Sequence, residues 1–267
     1  MTESQPSVLA DESEQRRLAA KARRENAQLA DPFDRSTPRD VWQEVQQDNR
    51  EGSRALVAFA DNGDRINIPA VDFFEAVPRE DVCRIYVRGL NGEDRPHALG
   101  ANMLEIAASL NELTRGYRPV VFVGASLGAF WAMLLGTLAS ADVVFVVNPV
   151  CSLEVGILDE AGKEAWVKPA QNLPDKWRDA YGDMRTLWER HQPPPVLGYY
   201  ASGLHQYAVQ AALMVDLPNV QLKSVEAHAP MAALAESGEL HSVVSALLFP
   251  GPGGLGHLQR RRQDADN

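Results

Sequence analysis

One stretch constrains the fold of this chain more than any other, namely VVFVGASLGAFWAMLLG at residues 120–136. It starts with β-branched and aromatic residues, typical of a buried strand, and ends with a long apolar run, typical of a buried helix. Between them Ser126 stands two positions from Gly124 and two from Gly128. Glycines so spaced allow a sharp, crowded turn from strand to helix that leaves the serine exposed. The stretch therefore predicts a strand, an elbow at Ser126 and a helix.

Strand-like and helix-like runs alternate on both sides of this elbow. Almost continuous apolar runs are typical of parallel strands that are covered on both faces. The predicted strands are 55–61, 82–89, the one before the elbow, 141–149, 194–202 and 219–227; helices are predicted at 100–116, 207–215 and 231–248. This alternation predicts an α/β fold with a mainly parallel sheet flanked by helices.

Three segments depart from that alternation. Residues 1–50 are rich in helix formers with mixed charges and predict a helical N-terminal appendage to an α/β domain at 51–249. Residues 155–192 carry three tryptophans and need no strand, which predicts a helical insertion that caps the strand ends. Packing is the more frequent role of such tryptophans, and lining an acyl pocket is the alternative. Residues 250–267 combine glycine, proline and charge and predict a disordered tail.

Charge and composition limit the partners that we expect. The net charge of −10 disfavours nucleic acid and anionic membranes, because both are polyanions. The polar first residues lack the apolar core of a signal peptide, and no apolar run reaches the roughly 20 residues that span a bilayer. We therefore expect a cytoplasmic protein in which Cys83 and Cys151 are reduced core thiols. The oligomeric state stays open.

No sequence pattern indicates a metal or a cofactor. The chain has no HExxH, no P-loop and no GxGxxG after a strand, and its two cysteines are far apart. The glycine-rich GPGGLG near the C-terminus follows a predicted helix rather than a strand, so it is interpreted as a linker.

The GASLG elbow and the order of strands and helices over residues 54–249 resemble the α/β-hydrolase superfamily. The resemblance implies that Ser126 is a nucleophile, which a base must activate because a serine hydroxyl alone reacts poorly. It also implies that the backbone N–H of Leu127 donates to the oxyanion. The second donor would come from Asp61 or Asn62, after the predicted strand 55–61, although their composition fits a simple turn equally well.

The resemblance also implies a position for the base. In the superfamily a histidine follows the last strand, and His228 stands there, just before a helix that opens near Pro230. Two other histidines, His97 and His205, could line a pocket from neighbouring loops.

The acid of the triad has no obvious candidate. Its usual place, after strand 194–202, holds SGLHQY, which contains no carboxylate. Glu154, after the preceding strand, is the first choice. The poorer alternatives lie later in a loop, at a helix end or too close to His228: Asp159, Asp216 and Glu226. A Ser–His pair without a carboxylate is also open, and loss of the orienting acid typically costs about 10⁴ in rate.

Two functions follow from these predictions. The first is a serine hydrolase of the esterase or thioesterase type, acting on a small-molecule acyl substrate. Ser126 attacks the acyl carbonyl and His228 takes its proton; an alcohol or amine in place of water gives acyl transfer. The second is a catalytically weak or inactive interaction protein that keeps the elbow for packing, since fold alone does not settle function.

Overall fold

The computed structural model describes residues 44–45, 52–61, 65–87, 96–160 and 175–251. All of them belong to the unit Arg39–Asn267. The predicted N-terminal appendage, apart from residues 44–45, and the predicted tail beyond residue 251 lie outside the described residues.

The described strands form one seven-stranded sheet in the order β1-β3-β2-β4-β5-β6-β7. The strands are β1 (Glu44–Val45), β2 (Arg54–Phe59), β3 (Val82–Val87), β4 (Val120–Ala125), β5 (Val143–Val147), β6 (Val196–Ala201) and β7 (Val220–Val225). Every neighbouring pair is parallel except β1 with β3. The predicted mainly parallel sheet is confirmed, while the short antiparallel edge strand falls in the segment that the sequence assigned to the appendage.

Helices connect and cover the strands. They are α1 (Ala70–Ala76), α2 (Pro96–Leu113), α3 (Leu127–Leu138), α4 (Val155–Glu160), α5 (Asp175–Tyr181), α6 (Met184–Arg190), α7 (His205–Ala212), α8 (Pro230–Glu236) and α9 (Glu239–Leu248). The prediction of one helix over 231–248 is wrong, because the chain turns between α8 and α9 at Gly238. Gly238 has φ 75°, a left-handed conformation that ends a helix and that glycine adopts at low cost.

The core is centred on the strand and helix that flank Ser126. All residues of β4 and β5 are buried, as is every residue of α3 from Leu127 to Thr137. Helix α3 packs on β4 and β5, and α9 packs on β2 and β4. Burial on all sides explains why this helix is apolar throughout. Among the described helices, none combines the length and the apolar character needed to cross a bilayer.

The described parts of the insertion, residues 155–160 and 175–192, are largely helical, as predicted. Aromatic side chains of the insertion pack against α3. The ring centroid of Trp177 lies 6.4 Å from that of Phe130 and 6.0 Å from that of Trp131. Trp188 donates from Nε1 to Thr137 Oγ1 at 2.9 Å. These two tryptophans therefore pack against the core, whereas Trp166 lies outside the described residues.

Candidate active site

Ser126 forms the junction between β4 and α3 in a strained backbone conformation. Its φ of 54° and ψ of −124° are sparsely populated by residues with a side chain, which costs about 1–3 kcal/mol. Backbone hydrogen bonds impose the conformation: the N–H of Ser126 donates to Val147 O at 3.0 Å, and its carbonyl accepts from Ala129 N at 3.1 Å. The serine is therefore held on a tight elbow beside the end of β5, where it is buried rather than exposed as the sequence predicts.

Direct backbone contacts explain the two glycines of the motif. A Cβ on Gly124 would lie 2.2 Å from the carbonyl oxygen of Gly128. A Cβ on Gly128 would lie 2.5 Å from Phe59 O, at the end of β2. Neither distance is compatible with a side chain unless the backbone moves, so the elbow requires glycine at both positions.

The Gly124→Ala substitution tests this steric requirement. We expect it to lower the free energy of unfolding by roughly 3 kcal/mol or more, because the obstacle is backbone and cannot rotate away. Gly156→Ala is the matched control, since a Cβ there meets nothing within 4 Å and alanine is favoured in a helix. Urea unfolding measures both variants. Equal stability of Gly124→Ala and the wild type would contradict the close packing of the elbow.

Tyr207 provides a hydrogen bond to the candidate nucleophile. Its hydroxyl donates to Ser126 Oγ at 3.2 Å from the first turn of α7, and its side chain is buried. Burial raises the pKa of Tyr207, and the charge of Asp61 acts in the same direction. The tyrosine is therefore a neutral donor at physiological pH. No sequence pattern marks Tyr207 as functional.

A buried polar cluster fixes α7 relative to the loop that follows β5. Gln210, which is fully buried, accepts from Cys151 N at 2.8 Å and from Ser152 N at 3.0 Å through Oε1, and donates to Ser152 O at 3.1 Å. Buried polar groups satisfied on both sides specify a single arrangement. The position of Tyr207, one turn earlier in α7, is thereby fixed as well.

The predicted oxyanion donors differ in whether their N–H groups already make hydrogen bonds. Leu127 is the first residue of α3. The first N–H groups of a helix have no carbonyl acceptor within that helix, so the N–H of Leu127 makes no hydrogen bond inside α3. The N–H of Asp61 donates to Arg65 O at 2.5 Å, and its Oδ2 accepts from Asn67 N at 3.0 Å. Asp61 thus hydrogen-bonds within its own loop, and its role as an oxyanion donor stays a prediction. Asn62 lies outside the described residues.

His228 occupies the connection between β7 and α8 and is exposed. Among the described residues, Tyr207 is the side chain that hydrogen-bonds to Ser126 Oγ, and no such bond joins Ser126 to His228. Catalytic hydrogen bonds are often long in unliganded enzymes and tighten with substrate. The role of His228 as base remains a prediction.

No carboxylate in the part of the chain that the structure describes is hydrogen-bonded to His228. Glu154 is exposed just before α4, and its backbone N–H donates to Ser152 Oγ at 3.3 Å. Asp216 is paired with Arg185 at 2.7 Å, and Glu226 is exposed. The side chain of Asp159 is not described. Glu154 as the acid likewise stays a prediction.

Comparison with known proteins establishes the fold. No protein-family model and no curated protein matches the chain. A hormone-sensitive lipase from a metagenome library superposes with a TM-score of 0.56 and 12% identity, over 83% of this chain and 91% of that one. The EstE5–PMSF structure superposes with a TM-score of 0.51 and 12% identity, over 82% and 89%. At such identities the likeness is one of fold, and the chain has the α/β-hydrolase fold.

Proposed function

We propose that this chain, built on the α/β-hydrolase fold, is a serine hydrolase that cleaves small-molecule esters or thioesters. The observation that carries the proposal is the backbone of Ser126, held at φ 54° and ψ −124° between a buried strand and a buried helix. Strain of this kind persists at functional sites when the surrounding structure imposes it. Here both flanking glycines are required to accommodate it, and the hydroxyl lies at the N-terminus of a helix.

The proposed reaction proceeds through an acyl-enzyme. Ser126 Oγ attacks the carbonyl carbon, and His228 takes the serine proton and returns it to the leaving group. The N–H of Leu127 donates to the oxyanion, and the positive end of the α3 dipole favours that charge. Water, activated by the same histidine, then releases the acyl group. His228 must approach Ser126 when substrate binds, which its exposed position between β7 and α8 permits.

A fluorophosphonate probe tests the proposal directly. We expect the folded protein to gain one probe adduct, carried by the peptide that contains Ser126, because only an activated serine attacks phosphorus at a useful rate. Intact-mass and peptide mass spectrometry measure the adduct and its position. Heat-unfolded protein is the control and should stay unlabelled. No labelling at any pH at which the protein stays folded would favour the non-catalytic interaction protein instead.

A further inference from the structure

We propose that Tyr207 is a catalytic residue that donates a hydrogen bond from its hydroxyl to the oxyanion formed when Ser126 attacks a carbonyl. The inference rests on the proposed function, since it assigns a further role within the same site. It uses a residue that the sequence pattern does not mark and that lies 81 positions from Ser126 in the chain.

The first support is the distance between the two hydroxyls. Tyr207 Oη lies 3.2 Å from Ser126 Oγ. In the tetrahedral intermediate the oxyanion is bonded to the same carbon that Oγ has attacked, so it forms beside Oγ. A donor already within hydrogen-bond distance of Oγ reaches the oxyanion by a small rotation of its O–H bond, without movement of the backbone.

The second support is the state of the other donors. Stabilisation of an oxyanion depends on donors that are oriented before the reaction starts. The N–H of Leu127 is one such donor, whereas the N–H of Asp61 is engaged with Arg65 O at 2.5 Å. Among the described residues that the resemblance implicates, only Leu127 is thus oriented for the task. The hydroxyl of Tyr207 supplies a second donor, which already contacts Ser126 Oγ.

The third support is that Tyr207 is both fixed and protonated. Gln210, one turn later in α7, accepts from the backbone N–H groups of Cys151 and Ser152, which ties the helix that carries Tyr207 to the loop after β5. Burial raises the pKa of the phenol. A raised pKa keeps the proton on Oη as pH rises past the value of about 10 at which a free tyrosine loses it. The group therefore stays a donor at physiological pH.

The step balances without a further reactant. The bond from Ser126 Oγ to the carbonyl carbon forms while the carbonyl π pair moves onto oxygen. The serine proton goes to His228, and Tyr207 keeps its own proton throughout. The hydroxyl exchanges a hydrogen bond to Oγ for a stronger one to a charged oxygen. The hydrogen bond that Tyr207 donates is thus stronger in the transition state than in the resting enzyme, which is the condition for faster catalysis.

The test compares the Tyr207→Phe variant with the wild type on p-nitrophenyl butyrate. We expect kcat to fall by about 10²–10³-fold, as for removal of one oxyanion donor, with little change in KM. Binding of a trifluoromethyl ketone, which forms an oxyanion on Ser126, should weaken by a similar factor. Phenylalanine keeps the buried ring, so the melting temperature should stay close to that of the wild type. Tyr181→Phe, whose ring packs on Trp177 in the insertion at 5.9 Å, is the matched control.

Each outcome decides between the proposals. If the fluorophosphonate labels Ser126 and Tyr207→Phe hydrolyses the ester as fast as the wild type, the role of Tyr207 is wrong and the hydrolase stands. A Tyr207→Phe enzyme that is faster than the wild type would show that the hydroxyl restrains Ser126, and would overturn the role as well. A wild-type protein that is folded and unlabelled overturns both.

Discussion

Replacing Ser126 by alanine is expected to abolish ester hydrolysis, with kcat lowered by up to about 10⁶-fold, the loss seen when a serine hydrolase loses its nucleophile. The reason is that no acyl-enzyme can form, and the oxyanion donors and binding groups that remain supply only a small residual rate. Hydrolysis of p-nitrophenyl butyrate and fluorophosphonate labelling both measure the loss. Alanine meets the same backbone restriction as serine at φ 54°, so the fold should be unchanged.

The matched control for this variant is Ser202→Ala. Ser202 is exposed just after β6, and its hydroxyl hydrogen-bonds to Val225 O at 3.4 Å, away from the elbow. We expect this variant to keep both hydrolysis and labelling. Retention of labelling in Ser126→Ala, with circular dichroism like that of the wild type, would show that another residue carries the reaction.

Replacing His228 by alanine is expected to cost nearly as much, up to about 10⁶-fold in kcat, because the nucleophile and its base act as a unit. The pH dependence carries further information. A neutral imidazole is the active form of a general base, so wild-type kcat/KM should rise from acid to neutral pH. The His228→Ala variant should lose that rise. Added imidazole should restore part of the rate, which a purely structural role would not allow.

Two other histidines serve as controls for that result. His241 is exposed within α9, and its replacement by alanine should leave the rate unchanged. His205 is the exposed first residue of α7, two positions before Tyr207. If His205→Ala removes the pH-dependent rise and His228→Ala does not, the base is His205 and the assignment by resemblance is wrong.

Local sequence pattern was sufficient for the elbow and the parallel strands. The constraints that produce them act over a few residues: an apolar run that suits a strand covered on both faces, and glycines two positions on either side of Ser126. The structure gives the physical reason for the second constraint as the contact between Gly124 and the carbonyl of Gly128. Such short-range steric constraints require glycine at fixed spacings, so they can be recognised in the sequence without knowledge of the rest of the fold.

Helix boundaries were less predictable because apolar periodicity continues across a break. Apolar residues recur through α8 and α9 at helical spacing, yet the chain turns at Gly238 with φ 75°. Gly238 lies in the middle of the predicted helix and could have indicated the break, but a single glycine is tolerated inside many helices. The conformation was decided by packing that periodicity does not describe.

The side-chain contacts of the site were the least predictable part. The bond between Tyr207 and Ser126 joins residues from α7 and the elbow, which only the crossover order of the sheet brings together. A tyrosine shortly after a strand has no distinctive pattern, since most such residues serve packing. The N–H of Asp61 was equally hard to predict, because it donates to Arg65 O in the tertiary structure.

The contacts at Gly124 and Gly128 imply that selection for stable folding acts on the two glycines, whereas selection for the proposed reaction acts on Ser126. Both glycines stabilise the elbow, whatever residue stands between them, because the atoms that a side chain there would strike are backbone. A related chain without the proposed hydrolysis would therefore keep the glycine pair, while position 126 would be free to change. In related chains, the glycine pair therefore indicates that the fold is kept. A serine between the two glycines indicates that the proposed nucleophile is kept as well.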